Sequence, residues 1–130
     1  MGTRCIIGIA DNLDQEKMRA VYCGHDGYPD GVGVELLRSY GSEDKILALL
    51  EGGAMSSLGD SPETTDYYGD EEASDYPIRR PSYETDIEYR YVFDRSTGTW
   101  YVVSWKDELK TVRQAIDEIE QRRAARINRT

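Results

Sequence analysis

One corner limits what this chain can fold into more than any other stretch. Tyr22-Cys-Gly-His-Asp-Gly-Tyr-Pro-Asp-Gly-Val-Gly33 follows an apolar run and precedes Val34, Leu36, Leu37 and Tyr40, which recur at helical spacing. Asp26-Gly27 and Tyr28-Pro29-Asp30-Gly31 are two turn signals in succession. Glycine reaches positive φ without strain, and proline holds φ at about −65°. A strand enters, the chain turns sharply, and a helix leaves.

The residues around that corner fill in the pattern. Residues 4–10 are rich in isoleucine and read as a strand, 11–17 are polar and turn-like, and 18–23 read as a second strand. A hairpin centred near Asp14 sets Cys5 opposite Cys23 and Ile7 opposite Val21. These are the only two cysteines. In a reducing compartment they read as buried thiols rather than a disulfide. A helix over 32–40 stops at Gly41. Ser42 then reads as an N-cap, with Glu43 and Asp44 in the first turn where the helix dipole favours acids. Ile46, Leu47, Leu49 and Leu50 give the second helix its apolar face, and Gly52-Gly53 ends it. Residues 54–59 look irregular, with Leu58 as a core anchor.

From about 60 to 82 the composition changes. Asp60, Glu63, Asp66, Asp70, Glu71, Glu72 and Asp75 alternate with Tyr67, Tyr68 and Tyr76, and aliphatic residues nearly vanish. A loop this long inside a small domain is either a solvated insert or a functional surface. As a surface it offers carboxylates to a basic groove and tyrosine rings as anchors.

Residues 83–93 alternate again. Ile87, Tyr89, Tyr91 and Phe93 point one way, and Glu88, Arg90 and Val92 the other. A turn at 94–98 leads into 99–105. There Trp100, Val102 and Ser104 share one face and Tyr101, Val103 and Trp105 the other, so both faces need a cover. Residues 107–128 read as one long helix with an apolar seam of Leu109, Val112, Ile116 and Ile119. Arg122, Arg123, Arg126 and Arg129 gather at its end. The seam packs on the chain's own sheet or pairs in a homodimer. The expected fold is a single α+β domain over 1–130. It has a four-stranded antiparallel sheet from two hairpins, two short helices and a long C-terminal helix.

Charge narrows the function. Twenty-five acidic against sixteen basic side chains leave a net charge of −9. That disfavours direct contact with nucleic acid or an anionic membrane and favours a partner with a basic surface. No apolar run approaches the ~18 residues of a membrane span, and no signal-peptide pattern opens the chain. A cytoplasmic protein is expected.

Signals for chemistry are sparse. His25 is the only histidine. Cys23, His25 and Asp26 outline an activated nucleophile, but no oxyanion donors accompany them. A metal at His25, Asp26 and Asp30 lacks a second histidine or a cysteine pair. Gly27, Gly31 and Gly33 either serve a tight corner or cradle a phosphate, without a dinucleotide fingerprint or Walker lysine. His25, Asp26, Gly27, Tyr28, Asp30 and Gly31 are therefore a candidate ligand-binding turn. No catalytic residue, metal or cofactor is expected.

Thr3-Arg4-Cys5-x-Ile7, Tyr22-Cys23, Asp26-Gly27-Tyr28-Pro29-x-Gly31-Val32-Gly33, Leu36-Leu37, Tyr40, Lys45-Ile46 and Ser56-Ser57-Leu58-Gly59 together resemble a family of small proteins encoded by bacteriophages and prophages, mostly of unknown function. The likeness covers roughly the first 60 residues. It departs where the family often has His-Trp before Asp-Gly-Tyr-Pro and this chain has Gly24-His25. The resemblance implies phage origin and action in the cytoplasm of the bacterial host. With the acidic segment, it leads to the expectation of a non-enzymatic, anti-CRISPR-like inhibitor of a host defence complex. Such an inhibitor would bind a basic, nucleic-acid-binding surface. The rival expectation is a binder that sequesters a nucleotide defence signal.

Overall fold

The first hairpin forms where alternation places it. In the computed structural model, which describes residues 3–84 and 86–128, β1 (Cys5–Ala10) runs antiparallel to β2 (Lys17–Cys23). Cys5 faces Cys23 and Ile7 faces Val21, as the hairpin midpoint predicts. The second hairpin joins β6 (Tyr89–Asp94) to β7 (Thr99–Ser104), again antiparallel.

The expected four-stranded antiparallel sheet is not what these hairpins build. β1 lies parallel to β6, from Cys5 beside Tyr89 to Ala10 beside Asp94. Four more strands extend the sheet: β3 (Met55–Ser57), β4 (Asp66–Tyr67), β5 (Ser74–Pro77) and β8 (Leu109–Thr111). The result is a mixed sheet of eight strands in the order β4-β3-β2-β1-β6-β7-β8, with β5 also on β2. The physical cause is visible in β1. Cys-Ile-Ile-Gly-Ile-Ala is apolar at every position and buried throughout, the signature of a strand covered on both faces and paired on both edges.

Each face has its own core. On one side Cys5, Ile7, Ile9, Val21, Tyr91, Phe93, Trp100 and Val102 meet three helices. These are α1 (Val34–Ser39), α2 (Glu43–Glu51) and α3 (Val112–Asn128). Each aliphatic side chain fully removed from water there contributes roughly 1.5–3 kcal/mol. On the other side Ile6, Ala10, Met18, Ala20 and Val92 pack under Ile78, Tyr76 and Ile87. Ile87 thus joins the face opposite to Tyr89, against the expected alternation, because the chain reaches β6 only at Tyr89. Both faces of the second hairpin are covered, as its aromatic residues require.

Arg90 is only 1% exposed on the second face. It pairs with Glu84 and donates to Pro77 O at 3.1 Å. Arg79 Nε and the Arg80 amide both donate to Asp107 Oδ1, at 3.1 and 3.0 Å. These contacts fasten the segment from Ile78 to Glu84 across the sheet.

The helices also differ in detail from expectation. Pro29–Gly33 is a wide π-helical turn, and α1 proper begins at Val34. Gly31 is required there, because a Cβ would stand 2.5 Å from Asp26 O. Ser42 caps α2 by accepting from the Lys45 amide at 3.3 Å. The expected helix over 107–128 starts at Val112 instead. Leu109 lies in β8, opposite Val103, outside the seam. Thr111 and Gln114 cap α3 reciprocally: the Thr111 amide donates to Gln114 Oε1 and the Gln114 amide to Thr111 Oγ1. Val112, Ala115 and Ile116 are buried on the sheet, whereas residues 120–127 are exposed. Arg129 lies outside the described residues. Among those residues, no helix is long and apolar enough to cross a membrane.

Candidate functional site

The acid-rich segment is a fastened ribbon rather than a free loop. After a 3-10 turn at Pro62–Thr64, capped by Ser61, it forms β4 on β3 and then β5 on β2. The Tyr68 amide donates to Ala54 O at 3.0 Å, and the Ala54 amide to Glu71 O at 2.8 Å. The Tyr67 hydroxyl donates to Leu49 O at 2.8 Å. Gly53, at φ +82°, lets the α2 terminus close against this ribbon, since a Cβ there would sit 2.0 Å from Glu71 O. These contacts tie the ribbon to β3, to β2 and to the end of α2.

Its side chains sort into two sets. Asp60, Glu63, Asp66, Asp70, Glu71, Glu72 and Asp75 are all exposed. Among the described residues none of these seven carboxylates forms an ion pair. Asp75 has Arg19 as its cross-strand neighbour. The tyrosines divide. Tyr67 is half-buried against Gly52, Tyr76 joins the second core, and Tyr68 stands out, 48% exposed. One of the three expected anchors therefore faces solvent.

The candidate ligand-binding turn is held from several sides. Asp26 adopts φ +59° and accepts from the Tyr28 hydroxyl at 3.0 Å. Its carbonyl accepts from Val32, and Gly27 donates to Thr3 O. The buried Tyr91 hydroxyl donates to Gly27 O at 2.7 Å. A concavity of about 300 Å³ opens beside Asp26, Asp30 and Glu35. Three carboxylates at its wall repel a phosphate, although Arg123 pairs with Asp30.

His25 does not join this concavity. Its Nδ1 lies 2.9 Å from Ser56 O and 3.2 Å from Ser56 Oγ. A ring nitrogen that donates to a carbonyl cannot also accept the Ser56 proton. Cys23 Sγ donates to the backbone oxygen of His25 at 3.5 Å, not to the imidazole. The hydrogen bond with Cys5 holds the Cys23 thiol below its ordinary value, while burial pushes Cys5 well above it. The expected Cys23–His25–Asp26 outline is nevertheless not assembled as a nucleophile and base, because the imidazole bonds Ser56 and not the thiol. Among the described residues, no group of three His, Cys, Asp or Glu side chains could hold a metal ion.

Sequence reasoning passed over a second polar feature, a groove of about 200 Å³ between β7, β8 and α3. Tyr89, Val102 and Ile119 line it together with the cations Lys106, Lys110 and Arg122 and the carboxylates Glu108 and Glu118. Trp105 beside it is 54% exposed, with Lys106 Nζ 5.1 Å from its ring centre. The available signal was Trp105-Lys106 next to the late arginines. Assigning residues 107–111 to the helix concealed it.

No protein-family model, curated protein or solved structure matches this chain.

Proposed function

We propose that this chain is a phage-encoded, non-enzymatic inhibitor of a bacterial defence complex. It acts in the host cytoplasm and binds a basic, nucleic-acid-binding surface through the ribbon from Asp60 to Tyr76. One observation carries the reading: seven exposed carboxylates, none with an ion-pair partner among the described residues, lie along β4, β5 and their connections with the exposed Tyr68 among them. An isolated exposed ion pair contributes only on the order of 0.5 kcal/mol. Useful affinity therefore needs several carboxylates engaged together and an aromatic anchor, the role given to Tyr68. Charge complementarity also speeds encounter with a basic groove. The resemblance to phage proteins supplies the biological setting. The rival reading, capture of a nucleotide signal by the Gly27–Gly33 turn with the late arginines, has weaker support because Asp26, Asp30 and Glu35 line that concavity and Arg123 is paired to Asp30.

The test uses the chain as bait in lysates containing active CRISPR and other nuclease complexes. A complex captured at low salt and released at high salt is expected. A variant carrying Asp70→Ser, Glu71→Ser, Glu72→Ser and Asp75→Ser should lose both capture and inhibition of the captured nuclease. If that variant, verified as folded, inhibits as well as the parent, the ribbon is not the contact surface and the reading fails.

A further inference from the structure

We infer that a second copy of this chain seats its acidic ribbon in the groove between β7, β8 and α3, so that copies associate head to tail. The strand order separates the two surfaces, with β4 at one edge of the sheet and β8 at the other. Six inter-strand steps of ~4.8 Å set them roughly 29 Å apart. The Debye length at physiological ionic strength is ~8 Å. The ribbon of one copy therefore neither reaches nor neutralises its own groove, and both stay available to a neighbour.

Their chemistry is complementary. The groove holds three cations against two carboxylates, Glu108 and Glu118, and Lys110 is bonded to Glu118 at 2.5 Å. Lys106 and Arg122 have no carboxylate partner among the described residues. The half-buried Tyr89 and Ile119 give an apolar floor. The ribbon presents the complementary set: the exposed Tyr68 ring with Asp66, Asp70, Glu71 and Glu72 around it. The ring settles on the floor of the groove while carboxylates meet Lys106 and Arg122. Ribbon and groove lie at opposite edges of the sheet, so one contact leaves a free ribbon and a free groove, and the association is heterologous and extends. The net charge of −9 opposes approach at low salt, and screening relieves that repulsion before it removes the close pairs. A second copy and a host partner would compete for the same ribbon.

Sedimentation velocity across a concentration series reads the outcome. At ~0.1 M salt, mass should grow with concentration without a fixed stoichiometry, and at ~1 M salt the chain should be monomeric. Two variants separate the surfaces: Glu71→Lys with Glu72→Lys on the ribbon, and Lys106→Glu with Arg122→Glu on the groove. All four side chains are exposed, and circular dichroism verifies each fold. Each variant alone should self-associate at least tenfold more weakly than the parent. Each double variant keeps one intact surface, so an equimolar mixture should form a 1:1 complex and nothing longer. A monomer at every concentration and salt overturns the inference, as does a closed dimer indifferent to salt or a mixture that does not combine. The groove variant leaves the ribbon intact. If it changes nothing in self-association yet still binds the host complex, this inference fails while the proposed function stands.

Discussion

The Tyr67 hydroxyl donates to Leu49 O at 2.8 Å, and the Tyr67 ring occupies the space a side chain on Gly52 would need. One residue of the acid-rich ribbon thereby closes the last turn of α2. The same residue type that faces solvent at Tyr68 is, one position earlier, part of the core boundary. Tyr68 lies one residue beyond β4, 48% exposed, with its hydroxyl over Gly24.

Tyr67→Phe should cost about 1 kcal/mol, the net value of one intramolecular hydrogen bond. Urea denaturation measures it. Hydrogen exchange at the Ala54 and Tyr68 amides, which bridge β3 and the ribbon, should quicken before the rest of the sheet. Uniform exchange rates across both would mean the ribbon is fastened elsewhere.

Gly53 and Gly41 make a matched pair. Gly53 has φ +82° and would place a Cβ 2.0 Å from Glu71 O, whereas nothing lies within 4 Å at Gly41. Gly53→Ala should destabilise by roughly 1–3 kcal/mol through strain, and Gly41→Ala by less than about 1 kcal/mol in either direction. Equal midpoints in thermal melts would contradict the assignment of the close approach.

Arg90 and Glu84 form a buried ion pair. Glu84→Ala leaves a buried guanidinium with Pro77 O as its remaining acceptor among the described residues, a loss of about 3 kcal/mol. Replacing both, as Arg90→Met with Glu84→Leu, should recover most of that loss. A double variant less stable than Glu84→Ala would show that the pair itself, rather than the desolvated charge, holds the segment down.

Stability should fall in alkali. Burial raises Tyr40 from 10.0 to about 12, and burial pushes Tyr91 well above the ordinary value. Their hydroxyls donate to Gly59 O and Gly27 O. The native state holds these protons more tightly than the unfolded chain. The contribution is therefore complete below pH 10, the ordinary tyrosine value, and is lost as pH rises toward 12. Tyr40→Phe should flatten that loss in unfolding titrations. At the acid end, the Arg80 amide and the Arg79 guanidinium hold Asp107 below its ordinary 3.8. This contribution is present above 3.8 and lost as pH falls through the native value. Asp107→Asn should weaken the acid dependence.

What the sequence made legible was local. Period-two alternation and the midpoint of a polar turn placed Cys5 opposite Cys23, and Ser42 before Glu43-Asp44 marked the start of α2. The parallel contact of β1 with β6 joins residues more than eighty positions apart and leaves no short-range signature, apart from the unbroken apolar run of β1. β4 and β5 escaped because edge strands carry charge against unwanted pairing, so Asp66 and Asp75 read as loop. The start of α3 was recoverable. Thr111-Val-Arg-Gln114 is a capping-box pattern, and its reciprocal bonds are present. At the candidate site the seven carboxylates were readable as a cluster, but which tyrosine turns outward depended on register. The groove at Trp105 depended on β8.

The ribbon is anchored through backbone groups and Tyr67, while Asp70, Glu71 and Glu72 point exposed side chains outward. The side chains of Asp70, Glu71 and Glu72 are therefore positions separate from those that fix the fold. Under the proposed function, they could be rewritten to follow a changing target while the core kept its stability.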